Sequence, residues 1–166
     1  ALCLADSLID KQGYDSYDVM KKYSDWEAFG YRSYFNYGYD VGRQTDEAIA
    51  DFAKNPIVKK NQKREISAGN GGIMRLAPTI VATVKANDLI KTVELAWISS
   101  RETHYSETAE MGAELFANIL HRALRLKDKN EIISFEGLHF TTDEMRECFL
   151  DHEWLLEPRV KSNGAC

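Results

Sequence analysis

The chain has 166 residues, of which 44% are hydrophobic and 28% charged, and its formal net charge is −5. This length and composition fit one folded domain with a sizeable core and exclude a disordered chain. The negative charge argues against a general nucleic-acid binder, and no apolar run reaches the roughly 18 to 20 residues that span a bilayer.

The first 29 residues predict two helices in quick succession. Apolar spacing favours a helix from Ala1 to about Lys11 that stops near Gly13, a residue suited to the left-handed conformation after a helix end. Asp15 or Ser16 is expected to cap the second helix, which ends near residue 29 and places its apolar side chains in the core.

Residues 30–43 change character, because aromatic side chains alternate with glycines without a helical period. Two interpretations remain open for this segment. It is either a packed surface loop or one wall of a ligand cleft, since loops often carry binding groups.

The remaining elements are all predicted to be helical. Thr45 or Asp46 caps a third helix that ends at Pro56. A glycine-rich segment then leads into a helix with Pro78 in its first turn. Further on, a helix capped by Asn87 or Asp88 is expected to be interrupted at residues 99 and 100.

A longer helix is predicted from Thr103 to Lys127, with an apolar face made by Ala109, Gly112, Ala113, Phe116, Ile119, Leu120, Ala123 and Leu124. Thr141 and Glu144 form a capping-box pair for a short helix to about Leu150. We find no alternating strand pattern and no internal repeat. The sequence therefore predicts an all-α fold.

Three well-separated cysteines (Cys3, Cys148 and Cys166) indicate neither a disulfide framework nor a paired zinc site, which favours a cytoplasmic setting. The sequence also begins inside an apolar helical pattern without a cap and stops in the polar segment 161–166. Both features suggest an internal portion of a domain.

The strongest local signal for chemistry is the glycine-rich segment from Ser67 to Gly72. Successive glycines allow backbone N–H groups to point into one concavity, and a following helix would add its positive dipole end, so the segment could hold an anion. It lacks the P-loop pattern, and no strand precedes it. A tight turn that needs positive φ angles is an equally good interpretation.

His104 is the histidine best placed to donate to a phosphate or sugar, whereas His121, His139 and His152 are interpreted as structural. No metal-binding histidine spacing is present. The acidic segments at 45–47 and 142–144 offer oxygen ligands for a hard cation, but we interpret both as helix caps.

These motifs together resemble one family. Segment 67–78, SAGNGGIMRLAP, is similar to the Gly-Asn-Gly-x-x-Met-Arg signature of ADP-ribosylglycohydrolases, and segment 99–104, SSRETH, resembles their Thr-His element. Asp40-Val41-Gly42 followed by Thr45 looks like the Asp-x-Gly loop of the family, and Trp26 with Gly30 resembles its Trp-to-Gly approach. The resemblance covers nearly the whole chain.

The resemblance implies an all-α orthogonal multi-helix bundle around a cleft that binds ADP-ribose beside two Mg²⁺ ions. The glycine loop would contact the diphosphate or ribose, His104 the nucleotide portion, and Asp40 with Gly42 the scissile end. The substrate-binding residues implied in this way are Asp40, Gly42, Ser67, Gly69, Asn70, Gly71, Gly72, Met74 and His104.

The metal-binding Thr-Asp-Asp-Thr and Asp-x-Asp-Thr elements of the family are not found in the sequence. We therefore expect residues 1–166 to be a partial domain, truncated at both ends, with neither catalytic nor metal-binding residues of its own. Its partner would be ADP-ribose or an ADP-ribosylated protein. The expected function is that of a fragment of a magnesium-dependent hydrolase that removes ADP-ribose from proteins; the alternative is a non-catalytic nucleotide-binding or structural member of the family.

Overall fold

The computed structural model describes residues 1–57 and 68–134, together with the isolated residues 143, 146 and 147. In this part of the chain all regular elements are helical and no strand is present, which confirms the all-α prediction. The elements are α1 (Leu2–Lys11), α2 (Ser16–Phe29), α3 (Arg43–Lys54), a 3-10 helix (Asn70–Arg75), α4 (Ala77–Val84), α5 (Leu89–Arg101), α6 (Glu107–Arg125) and α7 (Lys129–Ile132).

Helices α1, α2 and α3 bury one apolar cluster, because each places its apolar residues three or four positions apart and so on one face. Leu8, Tyr14, Trp26 and Tyr31 pack against the outside of this cluster. Its buried members are Cys3, Leu4, Val19, Met20, Tyr23, Ala48, Ile49 and Phe52.

Helices α4, α5 and α6 share a second cluster, which is built largely from alanine. Small side chains at Ala96, Ala113 and Ala117 allow α5 and α6 to approach closely, while Leu76 and Ile80 fill the space on the α4 side. Helices α1 to α3 form one half of the molecule, and the segment from the 3-10 helix to α6 forms the other. A cavity lies where these two halves meet.

A line of hydrogen-bonded polar side chains also runs between α4, α5 and α6. Thr83 Oγ1 lies 2.6 Å from Thr92 Oγ1, which in turn lies 2.9 Å from His121 Nδ1, and all three residues are buried. Buried polar groups are tolerated when they bond to one another. His121 is therefore held inside the helix packing, as its interpretation as a structural residue requires.

Several predicted helix ends are confirmed and others are wrong. Asp15 and Asp88 cap α2 and α5 by accepting the backbone N–H of Asp18 and Lys91. After α1, however, it is Gln12 that takes the left-handed conformation, with φ of 51°.

Helix α3 begins earlier than predicted, and the long helix begins later. Gly42 is the residue ahead of α3, so Thr45 and Asp46 lie inside its first turn and do not cap it. Helix α6 begins at Glu107, where Ser106 accepts the backbone N–H of Ala109, and it ends at Arg125. A capping serine next to the helix is a stronger start signal than the threonine three positions upstream.

Two further expectations about α5 and α6 are wrong. Ser99 and Ser100 do not interrupt α5, since the helix continues through both to Arg101. Both side chains are fully buried. On α6, Phe116 and Leu124 are 37% and 57% exposed, so the apolar face is narrower than predicted.

No helix among the described residues combines the length and apolar character needed to cross a bilayer. The capping-box helix predicted at 141–150 falls on residues of which only three are described, and His139 and His152 lie outside the described residues.

Candidate functional site

A cavity of about 710 Å³ opens between the two halves of the molecule. This volume lies in the range of small-molecule sites, about 300 to 1,000 Å³. Its wall is formed by the start of α1, the inner face of α2, the start of α3 with the loop before it, the 3-10 helix and the loop after α5. The lining residues are Ala1, Leu2, Cys3, Tyr23, Trp26, Arg32, Asp40, Val41, Gly42, Arg43, Gln44, Thr45, Gly69, Asn70, Gly71, Met74, Arg75 and His104.

The cavity brings together most of the residues implied by the sequence. Asp40 and Gly42 lie on one wall, and the glycine loop and His104 lie on another. Gly72 is buried behind the lining against α5, and Ser67 lies outside the described residues. The two motifs that carried the resemblance thus share one concavity.

The glycines at 69, 71 and 72 are needed for close approach and not for positive φ angles, since Gly30 is the one glycine with positive φ among the described residues. A Cβ atom at Gly71 would lie 2.7 Å from Cε1 of His104, and one at Gly72 would lie 2.3 Å from Oγ of Ser100. The tight-turn interpretation of this segment is therefore wrong. The glycines let the loop pack directly on α5 and the histidine.

One backbone N–H of the expected anion cradle has a partner within the protein. The backbone N–H of Gly69 is already used, because it donates to Oε1 of Gln44 at 3.0 Å. The glycines lead into the 3-10 helix, and the next α-helix, α4, begins only at Ala77. The expected contribution of an α-helix dipole directly at the glycines is thus wrong.

His104 lies in the loop between α5 and α6 with its ring edge against the glycine loop. Nδ1 lies 2.7 Å from Oγ1 of Thr103, and Nε2 lies on the side that faces Gly69 and Gly71. Burial and the nearby Arg75 guanidinium lower the pKa of His104 to about 4. The imidazole is therefore neutral near pH 7 and can donate or accept one hydrogen bond at Nε2.

Arg75, the arginine of the family signature, lines the cavity, although the resemblance assigned it no role there. Its guanidinium donates to the carbonyl oxygens of Gly71 (3.2 Å) and Ser99 (2.8 Å) and to Thr103 Oγ1, and it lies 5.3 Å from the centre of the Tyr23 ring. All three acceptors are neutral, so a permanent positive charge is held beside the cavity. The signal that could have found it was an arginine inside an apolar stretch right after the glycines.

The aromatic segment at residues 30–43 lines the cavity with residues near its two ends and not with its aromatic rings. Arg32 and Asp40 line the cavity, whereas Phe35 packs against Tyr34, Tyr37 and Tyr39 at centroid distances of 5.2 to 5.5 Å. These four rings are 43% to 93% exposed. Both interpretations of this segment are thus partly right.

The described residues do not fit a magnesium site. Mg²⁺ prefers carboxylate oxygens, and Asp40 is the only carboxylate residue in the described lining of the cavity. Nowhere in the described part of the chain do three or more His, Cys, Asp or Glu side chains come together in a way that could hold a metal ion.

Asp46, which had been considered as a cap or cation ligand, lies in the first turn of α3 and interacts with Glu27 of α2. Burial and the hydrogen bond with Asp46 raise the pKa of Glu27 to about 7. The protonated form of Glu27 can donate a hydrogen bond to the Asp46 carboxylate.

Comparison with known proteins gives three related results. A family model described as ADP-ribosylglycohydrolase matches residues 1–160. The ADP-ribosylarginine hydrolase Tri1 of Pseudomonas putida (strain GB-1) is 30% identical over 134 residues. A solved structure described as an ADP-ribosylglycohydrolase-related protein complex superposes with a TM-score of 0.67 at 29% identity, covering 92% of this chain.

The chain is shorter than these relatives. The alignment with the hydrolase covers 81% of this chain and 36% of the hydrolase, and the superposition covers 48% of the solved chain. Residues 1–166 therefore span between about a third and a half of the length of the proteins they resemble.

Proposed function

The chain belongs to the ADP-ribosylglycohydrolase family, and from this premise we propose that it forms the nucleotide-binding part of a hydrolase that releases ADP-ribose from modified proteins. The observation that carries the proposal is the single cavity in which the glycine loop, His104 and Arg75 meet. The acceptor we propose is an arginine side chain, since the relative from Pseudomonas putida is an ADP-ribosylarginine hydrolase.

The chemistry of the cavity wall suits ADP-ribose. The diphosphate is anionic and rich in acceptor oxygens, and it would lie near Arg75 and the Nε2 side of His104. The ribose and base would use the apolar surface supplied by Trp26 and Met74, of which Met74 is 75% exposed at the rim. The carboxylate of Asp40 would face the bond to the acceptor, where a guanidinium would be a matching cation.

In the proposed hydrolase, two magnesium ions would bind to ligands outside the residues that the structure describes. In the complete site these ions would supply Lewis-acid chemistry. The described residues would bind and orient the nucleotide.

The second candidate is a protein that binds ADP-ribose without cleaving it. The presence of only one carboxylate residue in the described cavity lining favours this candidate, since glycoside hydrolysis generally uses paired carboxylates or a metal-activated water.

One experiment separates the two candidates. The protein encoded by the complete reading frame is incubated with a substrate carrying radiolabelled ADP-ribose on arginine, with and without Mg²⁺, while binding of free ADP-ribose is measured in parallel by calorimetry. Magnesium-dependent release of the label supports the hydrolase, and binding without release supports the second candidate. If neither release nor binding is detected, the proposal is rejected.

A further inference from the structure

Three buried polar side chains form a continuous line behind the glycine loop. The guanidinium of Arg75 donates to Oγ1 of Thr103, and this oxygen lies 2.7 Å from Nδ1 of His104. Arg75 and His104 are 7% and 3% exposed, and Thr103 is completely buried. The line ends at Nε2 of His104, which lies on the cavity side.

The direction of these hydrogen bonds follows from the donors available. A guanidinium is always protonated and has no acceptor, so Thr103 Oγ1 must accept from Arg75. The single hydroxyl proton of Thr103 is then left to donate. Among the described residues its remaining hydrogen-bond partner is Nδ1 of His104, and complete burial keeps water away.

A proton on Nδ1 would leave this hydroxyl proton buried without an acceptor, which costs about 1 to 3 kcal/mol. Nδ1 is therefore the acceptor, and in a neutral imidazole the proton must then lie on Nε2. Burial and Arg75 lower the pKa of His104 to about 4, so the ring is neutral over the physiological range.

We infer that Arg75 and Thr103 are positioning residues that fix His104 as the neutral Nε2–H tautomer, so that it presents a hydrogen-bond donor to an acceptor oxygen in the cavity. The role of this donor toward ADP-ribose rests on the proposed function; the tautomer itself does not. No described residue accepts from Nε2, and this side of the ring lies against Gly69 and Gly71. These two glycines and His104 line the same cavity, in which an acceptor oxygen of a ligand would lie.

The test uses two substitutions, one that removes the hydroxyl group of Thr103 and one that keeps it. Thr103→Val keeps the shape of the side chain but removes the donor, whereas Thr103→Ser keeps the donor. Long-range ¹H–¹⁵N NMR correlations of the histidine rings report directly which nitrogen carries the proton. His121, which bonds to Thr92 elsewhere, serves as an internal reference whose signals should not move.

The expected result is a neutral His104 with the proton on Nε2 at pH 7 in the wild type and in Thr103→Ser, and a mixture of tautomers in Thr103→Val. Affinity for ADP-ribose should fall about tenfold in Thr103→Val and stay within about twofold in Thr103→Ser, because the lost interaction is one oriented hydrogen bond.

An Nδ1–H tautomer or an imidazolium in the wild type at pH 7 would overturn the inference without any variant. Unchanged tautomer in Thr103→Val would remove Thr103 from the positioning role, and unchanged affinity in that variant would remove the donor from the binding role. An Nε2–H tautomer in a wild type that does not bind ADP-ribose would reject the proposed function and leave the tautomer assignment intact.

Discussion

At the residue scale, Gly72 shows how closely the glycine loop packs on α5. A Cβ at this position would lie 3.1 Å from the backbone Cα of Ser100 as well as 2.3 Å from its Oγ, and a backbone atom cannot rotate away. Gly72→Ala should therefore lower the free energy of unfolding by about 1 to 3 kcal/mol, the usual cost of overpacking a tight contact.

Urea unfolding followed by circular dichroism measures this loss. Gly13→Ala is the matched control, since its nearest neighbour to a new Cβ is Lys11 O at 3.9 Å, an ordinary contact. The control should change the free energy of unfolding by less than about 1 kcal/mol in either direction. Equal stability of the two variants would contradict the account of this contact.

His104 makes stability depend on pH in a defined window. Its pKa is about 4 in the folded protein against an ordinary value of 6.5, so between these values the unfolded chain binds a proton that the folded protein excludes. The free energy of unfolding should thus be greatest above pH 6.5, fall as the pH falls, and lose at most about 3 kcal/mol from this group by pH 4.

Urea unfolding at several pH values compares the wild type with His104→Gln, which cannot titrate. The raised pKa of Glu27 acts in the opposite direction in an overlapping window, but it is common to both proteins and cancels in the difference. The difference in unfolding free energy should shrink between pH 6.5 and 4. A constant difference would mean that His104 titrates normally.

At the element scale, the start of α6 depends on one serine. Ser106 is 5% exposed, and its Oγ accepts the backbone N–H of Ala109 at 3.1 Å. Ser106→Ala should cost about 1 kcal/mol, because the N–H loses its partner, whereas Ser106→Gly should cost only a few tenths because glycine suits the cap backbone. Thermal or urea unfolding of the pair checks this order. Alanine as stable as glycine would contradict the assigned cap.

Local signals were sufficient for some elements. Asp15 and Asp88 were recognised as candidate caps because a carboxylate directly before an apolar helical pattern accepts the first free N–H groups. Ser99 and Ser100 look like a helix break in sequence, yet both are fully buried inside α5, and Ser100 Oγ donates to Ala109 O of α6. Tertiary packing decides that case, and a single sequence does not contain it.

The candidate site was likewise predicted only in part from the sequence. The family resemblance was enough to expect the glycine loop and His104 together, and the cavity contains both. It gave Arg75 no role in the site, and the hydrogen bond from Arg75 to Thr103 joins residues that are 28 positions apart in sequence. Nor did it predict that Gly69 N–H is occupied by Gln44, a residue of α3 that is distant in sequence.

At the scale of the whole molecule, the cavity joins two halves with separate apolar clusters. Helices α1 to α3 supply Asp40 and Trp26 to one wall through their inner faces and loops, and the segment from the 3-10 helix to α6 supplies Arg75 and His104 to the other. A ligand that fills the cavity contacts both halves. The account therefore depends on ADP-ribose binding in this space.

The most direct test is a calorimetric titration of ADP-ribose into the wild type and into Gly71→Val. A Cβ at Gly71 would lie 2.7 Å from the ring of His104 and would occupy space between the loop and the histidine. The account predicts saturable binding to the wild type and an affinity at least about tenfold lower in Gly71→Val, with Gly13→Ala unchanged. Equal affinity of the wild type and Gly71→Val would contradict it, as would the absence of binding to the wild type.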